Sequence, residues 1–446
     1  MTFPPISGRT LRGQAQCFDD LRGAIGTMPV IDTHDHSRRL GPKYDDPVQV
    51  IVGEYMLTDL SSATSDEVTH ILLDRSIPLE ERWPVLEHAW SRTAHTGFAQ
   101  ITRRVLDHFY NEDEVTLGAL QRMQDRLLNL EEERTFVGIL EQANIVARLA
   151  DVWPDVAQVL DGSYQLTPRA RLVIPLPGYH NVRSFMDIQA KAAPLGRSVS
   201  TLDEYLDVCW EHFQAYKKFG AVGFKDQSAY FRALDYSNPT RDDAERVFNR
   251  LMADALRSAG YPDELKPLDD YLFHSFLRMA RDLDLPVQLH TGHLAGLYGD
   301  IRKANVAQMA DTFLLHRDVR FDLFHANWPY GGELLFLVKA FPNVVMNFCW
   351  AHAIDPLYCQ TLMREAVSAV PHAKVHAFGS DFGGFGLPPG GGYVDRAWAH
   401  VQLALDNMAI ALSDLVSIHY LSFRDAESVA RAWLYENPKG FYRLDA

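Results

Sequence analysis

The sequence predicts a (β/α)8 barrel carrying a helical insertion after its first strand. Three observations lead there. Eight short segments rich in β-branched and other apolar residues recur along the 446 residues, each followed by a helical pattern, and eight is the number a closed barrel requires. Candidate functional residues fall at the C-terminal ends of the first, fifth, sixth and eighth segments, the face on which a barrel gathers its chemistry. The connection from the first segment to the second is far too long for a simple loop. An open doubly wound sheet would show the same strand–helix alternation, but its functional residues would cluster at one switch point.

In order, the strand segments are Pro29–His34, Asn144–Leu149, Arg171–Leu176, Ala221–Lys225, Pro286–His290, Val319–His325, Asn343–Phe348 and Val375–Asp381. Between about Pro42 and Glu141 the chain carries helical signatures, such as Leu79–Trp90 and Leu117–Gln124. The expectation is one barrel domain over residues 1–446, with 42–141 as an inserted helical subdomain that rises over the catalytic face as a cap. A second excursion runs from about Tyr230 to Leu285, where Asp235–Asp243 reads as a loop entering a helix. Gly390–Tyr393, behind Pro388 and Pro389, reads as a flexible turn beyond the last strand.

Composition narrows the partners. The chain is 47% hydrophobic and 23% charged, ample for a large core and unlike a disordered segment. A formal net charge of −15 argues against nucleic acid or an anionic membrane as partner, because both need a basic face. An anionic small molecule stays open, since a metal ion or a few buried cations reverse the local field. The N-terminus lacks a basic start and apolar core of the secretory kind, and no apolar run is long enough to span a bilayer. The four cysteines form no CxxC pair and read as reduced thiols. The expectation is a cytoplasmic protein, homo-oligomeric, acting on a small molecule.

The strongest chemical signal is Ile31-Asp-Thr-His-Asp-His. Histidines at i and i+2 on an extended segment point to one face, so His34 and His36 can converge on one ion. A His-x-His pair also arises by chance in a chain with 18 histidines, so context decides. Leu289-His-Thr-Gly puts His290 at a strand end, Leu323-Phe-His-Ala does so for His325, and Gly379-Ser-Asp-Phe-Gly does so for Asp381. Any one of these could be a structural residue hydrogen-bonded at a strand end. Together, several imidazoles and a carboxylate at one barrel mouth form the ligand set of Zn2+ or a similar divalent ion such as Mn2+, as one ion or two.

This pattern, His-x-His on strand one, His on strands five and six and Asp on strand eight, resembles the amidohydrolase superfamily, and most closely its amidohydrolase-related (second) branch. Gly220-Ala-Val-Gly-Phe-Lys, His325-Ala-Asn-Trp-Pro-Tyr and the ending Glu436-Asn-Pro-Lys-Gly-Phe-Tyr-Arg-Leu are similar to stretches of that branch. The branch contains hydrolases, non-oxidative decarboxylases such as aminocarboxymuconate semialdehyde decarboxylase and, more distantly, uronate isomerases, which also carry a helical insertion after strand one. The resemblance implies His34, His36, His290 and Asp381 as metal ligands. It implies a metal-dependent hydrolase acting on an amide, ester or lactone bond of a small polar, carboxylated molecule, with the decarboxylase or uronate-isomerase-like reaction as alternative.

Roles follow from chemistry and from the family together. A divalent ion makes hydroxide available near neutral pH. Asp381 is then the natural proton carrier, and His325 either binds a second ion or polarises the substrate carbonyl. Lys225 has three readings: a carbamylated bridge between two ions as in binuclear relatives, an ammonium pairing with a substrate carboxylate, or a salt bridge with Asp226 or another acid. Tyr230 and Arg232 follow strand four, where Arg232 offers a planar fork to a carboxylate, although a solvated surface is the common fate of such residues. His293, Trp328, Trp350 and His352 lie just past strand ends, either lining the pocket or packing. Asp32 and Asp35 flank the first ligands, where either could orient an imidazole.

Overall fold

The computed structural model describes residues 8–256, 264–384 and 391–445. Eight strands form one parallel sheet in sequential order: β1 (Val30–Asp35), β2 (Ile145–Asp151), β3 (Ala170–Pro175), β4 (Gly223–Asp226), β5 (Val287–Leu289), β6 (Phe321–Leu323), β7 (Val344–Asn347) and β8 (Val375–His376). Most strand residues are buried, as expected where helices cover one face and the barrel interior the other. The seam between β8 and β1 closes through the segment beyond β8: Thr33 N donates to Phe378 O at 3.2 Å, Asp381 N to His34 O at 2.8 Å and His36 N to Phe382 O at 2.8 Å. These backbone bonds place Asp381 beside the His-x-His pair.

The barrel floor is polar. Asp322 accepts from Asn347 Nδ2 at 2.9 Å and from Tyr442 OH, and lies 2.9 Å from His376 Nδ1. Gln288 Nε2 donates to Thr33 O at 2.9 Å and to Tyr442 OH at 3.0 Å. The closing helix Asn437–Tyr442 thus plugs the barrel with a hydroxyl. Each buried polar group must find a partner here, and this network supplies most of them.

The chain enters through α1 (Gly8–Ile25). Between β1 and β2 come α2 (Pro47–Val52), α3 (Met56–Ala63), α4 (Glu67–Leu73), α5 (Leu79–Thr93), α6 (Gly97–Val105), α7 (Leu117–Met123) and α8 (Glu133–Gln142). The start of α2 is written in its sequence: Asp46 caps Val48 N, Gln49 completes a capping box and Pro47 sits at the first turn. α6 packs on the long helix Val394–Ser417, so the apolar interior of these helices runs without a break into that of the barrel. In the second excursion Thr240 and Asp243 form the capping box that opens the helix Arg241–Ala253. No helix among the described residues is long and apolar enough to cross a membrane.

The expected turn at Gly390–Tyr393 differs. Pro388 to Gly390 lie outside the described residues, while Gly391 and Gly392 pair in parallel with Arg39 and Leu40. A Cβ on Gly392 would stand 2.4 Å from the Phe136 ring, so glycine is what lets this backbone approach.

Candidate metal centre

His34, His36 and Asp381 converge at the mouth of the barrel. His34 Nε2 lies 3.5 Å from Asp381 Oδ1, and His36 Nε2 lies 3.0 Å from the same oxygen. The two rings meet edge to face at 4.7 Å. Each is aimed by its other nitrogen: His34 Nδ1 by Gln288 Oε1 at 3.0 Å, His36 Nδ1 by the Asp151 carbonyl at 3.1 Å. His34 Nε2 is then buried with no hydrogen-bond partner, the state of an imidazole nitrogen held ready for a ligand.

His290 and His325 stand beside this group, aimed differently. His325 Nε2 lies 2.9 Å from His290 Nδ1 and 3.7 Å from Asp381 Oδ2, and its Nδ1 faces the Cys349 carbonyl at 3.0 Å. His290 Nε2 donates to the His293 carbonyl at 2.8 Å. With both rings neutral, each donates its one N–H to a carbonyl, so His290 Nδ1 and His325 Nε2 face each other as two lone pairs 2.9 Å apart, a pair of donor atoms open to an ion rather than a hydrogen bond. Two compact donor groups result, His34–His36–Asp151 and His325–Cys349–Asp381, each with its ligand atoms within 4.8 Å of one another. Asp151 and Cys349 are donors that the sequence reading missed. Asp151 closes β2 much as Asp381 follows β8, a polar strand end in a run of apolar residues, and this was its available signal. Gln288 had one too, two residues before His290 on the same strand face.

Lys225 rises from the end of β4 into the same cavity. Its Nζ is buried, has no hydrogen-bond partner, and sits 3.8 Å over the Phe324 ring. Asp226 points away from it, to His180 at 3.3 Å, Ser228 Oγ at 2.6 Å and Tyr236 OH at 2.9 Å. Adjacent strand residues face opposite sides, so a Lys225–Asp226 bridge does not form. Burial pulls the Lys225 ammonium below its ordinary range, against the opposing pull of Asp381. Burial and then the Lys225 charge push His34 and His290 well below their usual range, and burial with neighbouring His290 and Lys225 does the same to His325. Neutral imidazoles are the form in which histidine binds metal. His36 goes the other way: burial opposes its charge, but Asp381 and Asp151 outweigh burial and raise it to about 9.

The cavity encloses about 230 Å³ and is lined by His34, His36, Tyr55, Lys225, Gln227, Tyr230, His290, Asp381 and Gly384. Tyr230 packs its ring 4.7 Å from that of His290 and accepts from Ala295 N at 3.1 Å. Tyr55 comes from the helices between β1 and β2, and no local pattern marked it. Arg232 does not reach the cavity. Its guanidinium is buried on Asp269 at 2.9 Å and Asp270 at 2.5 Å, with Tyr236 stacked 4.2 Å away, so its fork is taken by protein carboxylates. Trp328 and His293 form the layer behind: Trp328 Nε1 donates to Asp355 at 3.3 Å, and the His293 ring packs between Trp328 and Trp350. His352 is satisfied by the Ala377 carbonyl and Asn407. Neither Asp32 nor Asp35 orients an imidazole. Asp32 accepts from the backbone of Ser380 and His34, and Asp35 pairs with Arg148.

The amidohydrolase family model matches residues 229–444, just under half of the chain, a stretch that includes His290, His325 and Asp381. Protein fluG of Emericella nidulans is 30% identical over 164 residues, 34% of this chain. The match spans only 19% of that protein's length. Among solved structures, the uronate isomerase of Thermotoga maritima superposes with a TM-score of 0.71 at 13% identity, covering 96% of this chain and 97% of its own. A candidate metal-dependent hydrolase from Lactobacillus casei gives 0.64 at 16% identity, over 95% and 97%. At such identities these two speak for the fold.

Proposed function

We propose that this chain, whose fold and family match are those of the amidohydrolase superfamily, is a metal-dependent hydrolase of small carboxylated molecules. One observation carries the reading: His34 Nε2, His36 Nε2 and Asp381 Oδ1 meet in a cavity that also receives the unpartnered ammonium of Lys225. Imidazole nitrogens with carboxylate oxygens suit a borderline divalent ion, Zn2+ before Mn2+, and His36 would release its proton as the ion binds. His34, His36 and Asp381 would hold it, with Asp151 and His290 beside them. Such an ion acts as a Lewis acid and acidifies bound water.

The remaining steps belong to the side chains. Asp381 takes a proton from the attacking water and delivers it to the departing nitrogen or oxygen, so that water is added across the bond and an acid with an amine or alcohol is released. His325 does not line the cavity; its Nε2, 3.7 Å from Asp381 and 2.9 Å from His290 Nδ1, acts behind these two residues, as a donor to an ion rather than on the substrate carbonyl. Lys225 pairs with the substrate carboxylate: its Nζ is buried in the cavity wall without a hydrogen-bond partner, where an anion would complete it. Tyr230 and Tyr55 close the sides, and through Tyr55 the insertion acts as a cap that limits water.

A second reading, sugar-acid isomerisation, is favoured by the overlay with the Thermotoga maritima uronate isomerase, which takes in nearly the whole chain, insertion included. One experiment separates the two. Protein loaded with Zn2+ or Mn2+ is offered N-acyl amino acids, lactones, aromatic acids and uronates. Hydrolysis yields a new acid group with an amine or alcohol. Aldose–ketose interconversion or release of CO2 would replace the hydrolase reading, and failure to bind either ion would remove the metal from it.

A further inference from the structure

Two adjacent residues of the insertion reach the segment that carries Asp381. They are Glu54 and Tyr55, in the turn between α2 and α3. Tyr55 OH donates to the Asp381 backbone carbonyl at 2.7 Å, and Glu54 Oε1 accepts from Gly383 N at 2.9 Å. On the other side, Asp381 N donates to the His34 carbonyl at 2.8 Å. The segment Asp381–Gly383 is therefore tied twice to the barrel, through Asp381 N and the Phe382 carbonyl, and twice to the insertion.

That grip matters because Asp381 is strained. Its φ is +57°, in the left-handed region that residues other than glycine rarely adopt, and Glu54 has a φ of +54°. Such conformations persist only where surrounding structure over-determines them. The direction of the Asp381 side chain follows from its backbone, so whatever holds φ holds the carboxylate 3.0 Å from His36 Nε2. The holder is itself immobilised. Arg396, buried on the helix Val394–Ser417, donates to the Val50 carbonyl, and Thr102 Oγ1 donates to the Ile51 carbonyl at 3.3 Å. The Tyr55 ring packs 4.4 Å from Trp350 and 5.6 Å from Phe98.

We infer that Tyr55 and Glu54 are positioning residues for Asp381: the insertion sets the carboxylate of the metal centre through backbone hydrogen bonds, so that metal affinity depends on residues that do not ligate the ion. This rests on the metal-centre reading above. Tyr55→Phe removes one hydroxyl and keeps the ring. Glu54→Ala removes the acceptor for Gly383 N, whereas Glu54→Gln keeps it.

The test uses the full chain, freed of metal by a chelator and titrated with Zn2+ against a chromophoric chelator; the visible spectrum of the Co2+-loaded protein reports coordination. Tyr55→Phe and Glu54→Ala are expected to bind Zn2+ about 10–100-fold more weakly, as removal of outer-shell partners does. Both should alter the Co2+ spectrum, while Glu54→Gln retains parent affinity. Parent affinity and an unchanged Co2+ spectrum in Tyr55→Phe and Glu54→Ala overturn the assignment, whatever their melting temperatures. Should Tyr55→Phe fail to fold, the Glu54 pair decides: equal affinity of the Ala and Gln variants overturns it. A parent protein that binds neither ion refutes the metal reading instead.

Discussion

Alkaline pH should loosen the segment that carries Tyr230, because the anchor of that segment is a protonated histidine. His180 lies wholly buried between two carboxylates, with Nδ1 on Asp269 and Nε2 3.3 Å from Asp226. Both ring nitrogens face acceptors, which calls for the imidazolium. Burial works against that charge, but Asp269 and Asp226 outweigh it and raise His180 to about 9. Arg232 on Asp269 and Asp270, and Lys266 on Asp270 at 2.9 Å, complete a set of three cations against three acids that fixes residues 226–237 to the helix Lys266–Asp282. In the unfolded chain a histidine titrates near 6.5. A folded value above the unfolded one gives stabilisation that is complete below about 6.5 and disappears as pH rises through about 9. A gap of that size corresponds to about 3 kcal/mol. The assay is urea unfolding of the parent and of His180→Gln between pH 6 and 10, with hydrogen exchange of residues 228–236 as local readout. The stability difference should be largest at pH 6 and shrink towards pH 10, while exchange in the parent quickens above pH 9. A difference that stays constant across the range would refute the reasoning, because the imidazolium would then not be what binds the segment.

Three further outcomes bear on the site. Replacing His34 and His36 together with alanine should abolish tight metal binding, read as metal content after dialysis, with little change in the melting of the metal-free form, since the pair sits on the functional face of the barrel; full metal content would sink the ligand assignment. Asp381→Asn should fold and yet lose about 10²–10⁴-fold in kcat, because the amide accepts no proton; near-normal turnover would remove Asp381 from proton transfer. Lys225→Met should keep its metal and raise KM for carboxylated substrates selectively, and a drop in metal content instead would identify the lysine as a carbamate bridge.

How much of this was legible in the sequence depended on whether a property is local. The strands were legible because each is an apolar run bounded by polar residues, and sequential parallel order follows once eight such runs alternate with helices. That order brings every strand's C-terminal end to one mouth, so His34, His36, Lys225, His290, His325 and Asp381 could be gathered there by position alone. Aim is another matter, because it is set by partners distant in sequence. Gln288 turns the His34 ring, the His293 carbonyl turns that of His290, and nothing near either histidine announces the result. Arg232 shows the limit most sharply. Read locally it is an arginine on a loop beside the mouth, but Asp269 and Asp270 approach from a helix 37 and 38 residues onward and take its guanidinium inward. Lys225 is the converse case. Its neighbour Asp226 offered an obvious partner, and strand alternation sent the two to opposite sides, leaving the ammonium buried without one. A buried lysine with no protein partner bears an uncompensated desolvation cost. Holding it in place therefore makes physical sense where an anion or a modification completes it, and Lys225→Met separates the two: loss of affinity for carboxylated substrates with metal retained marks the anion, and loss of metal marks the modification.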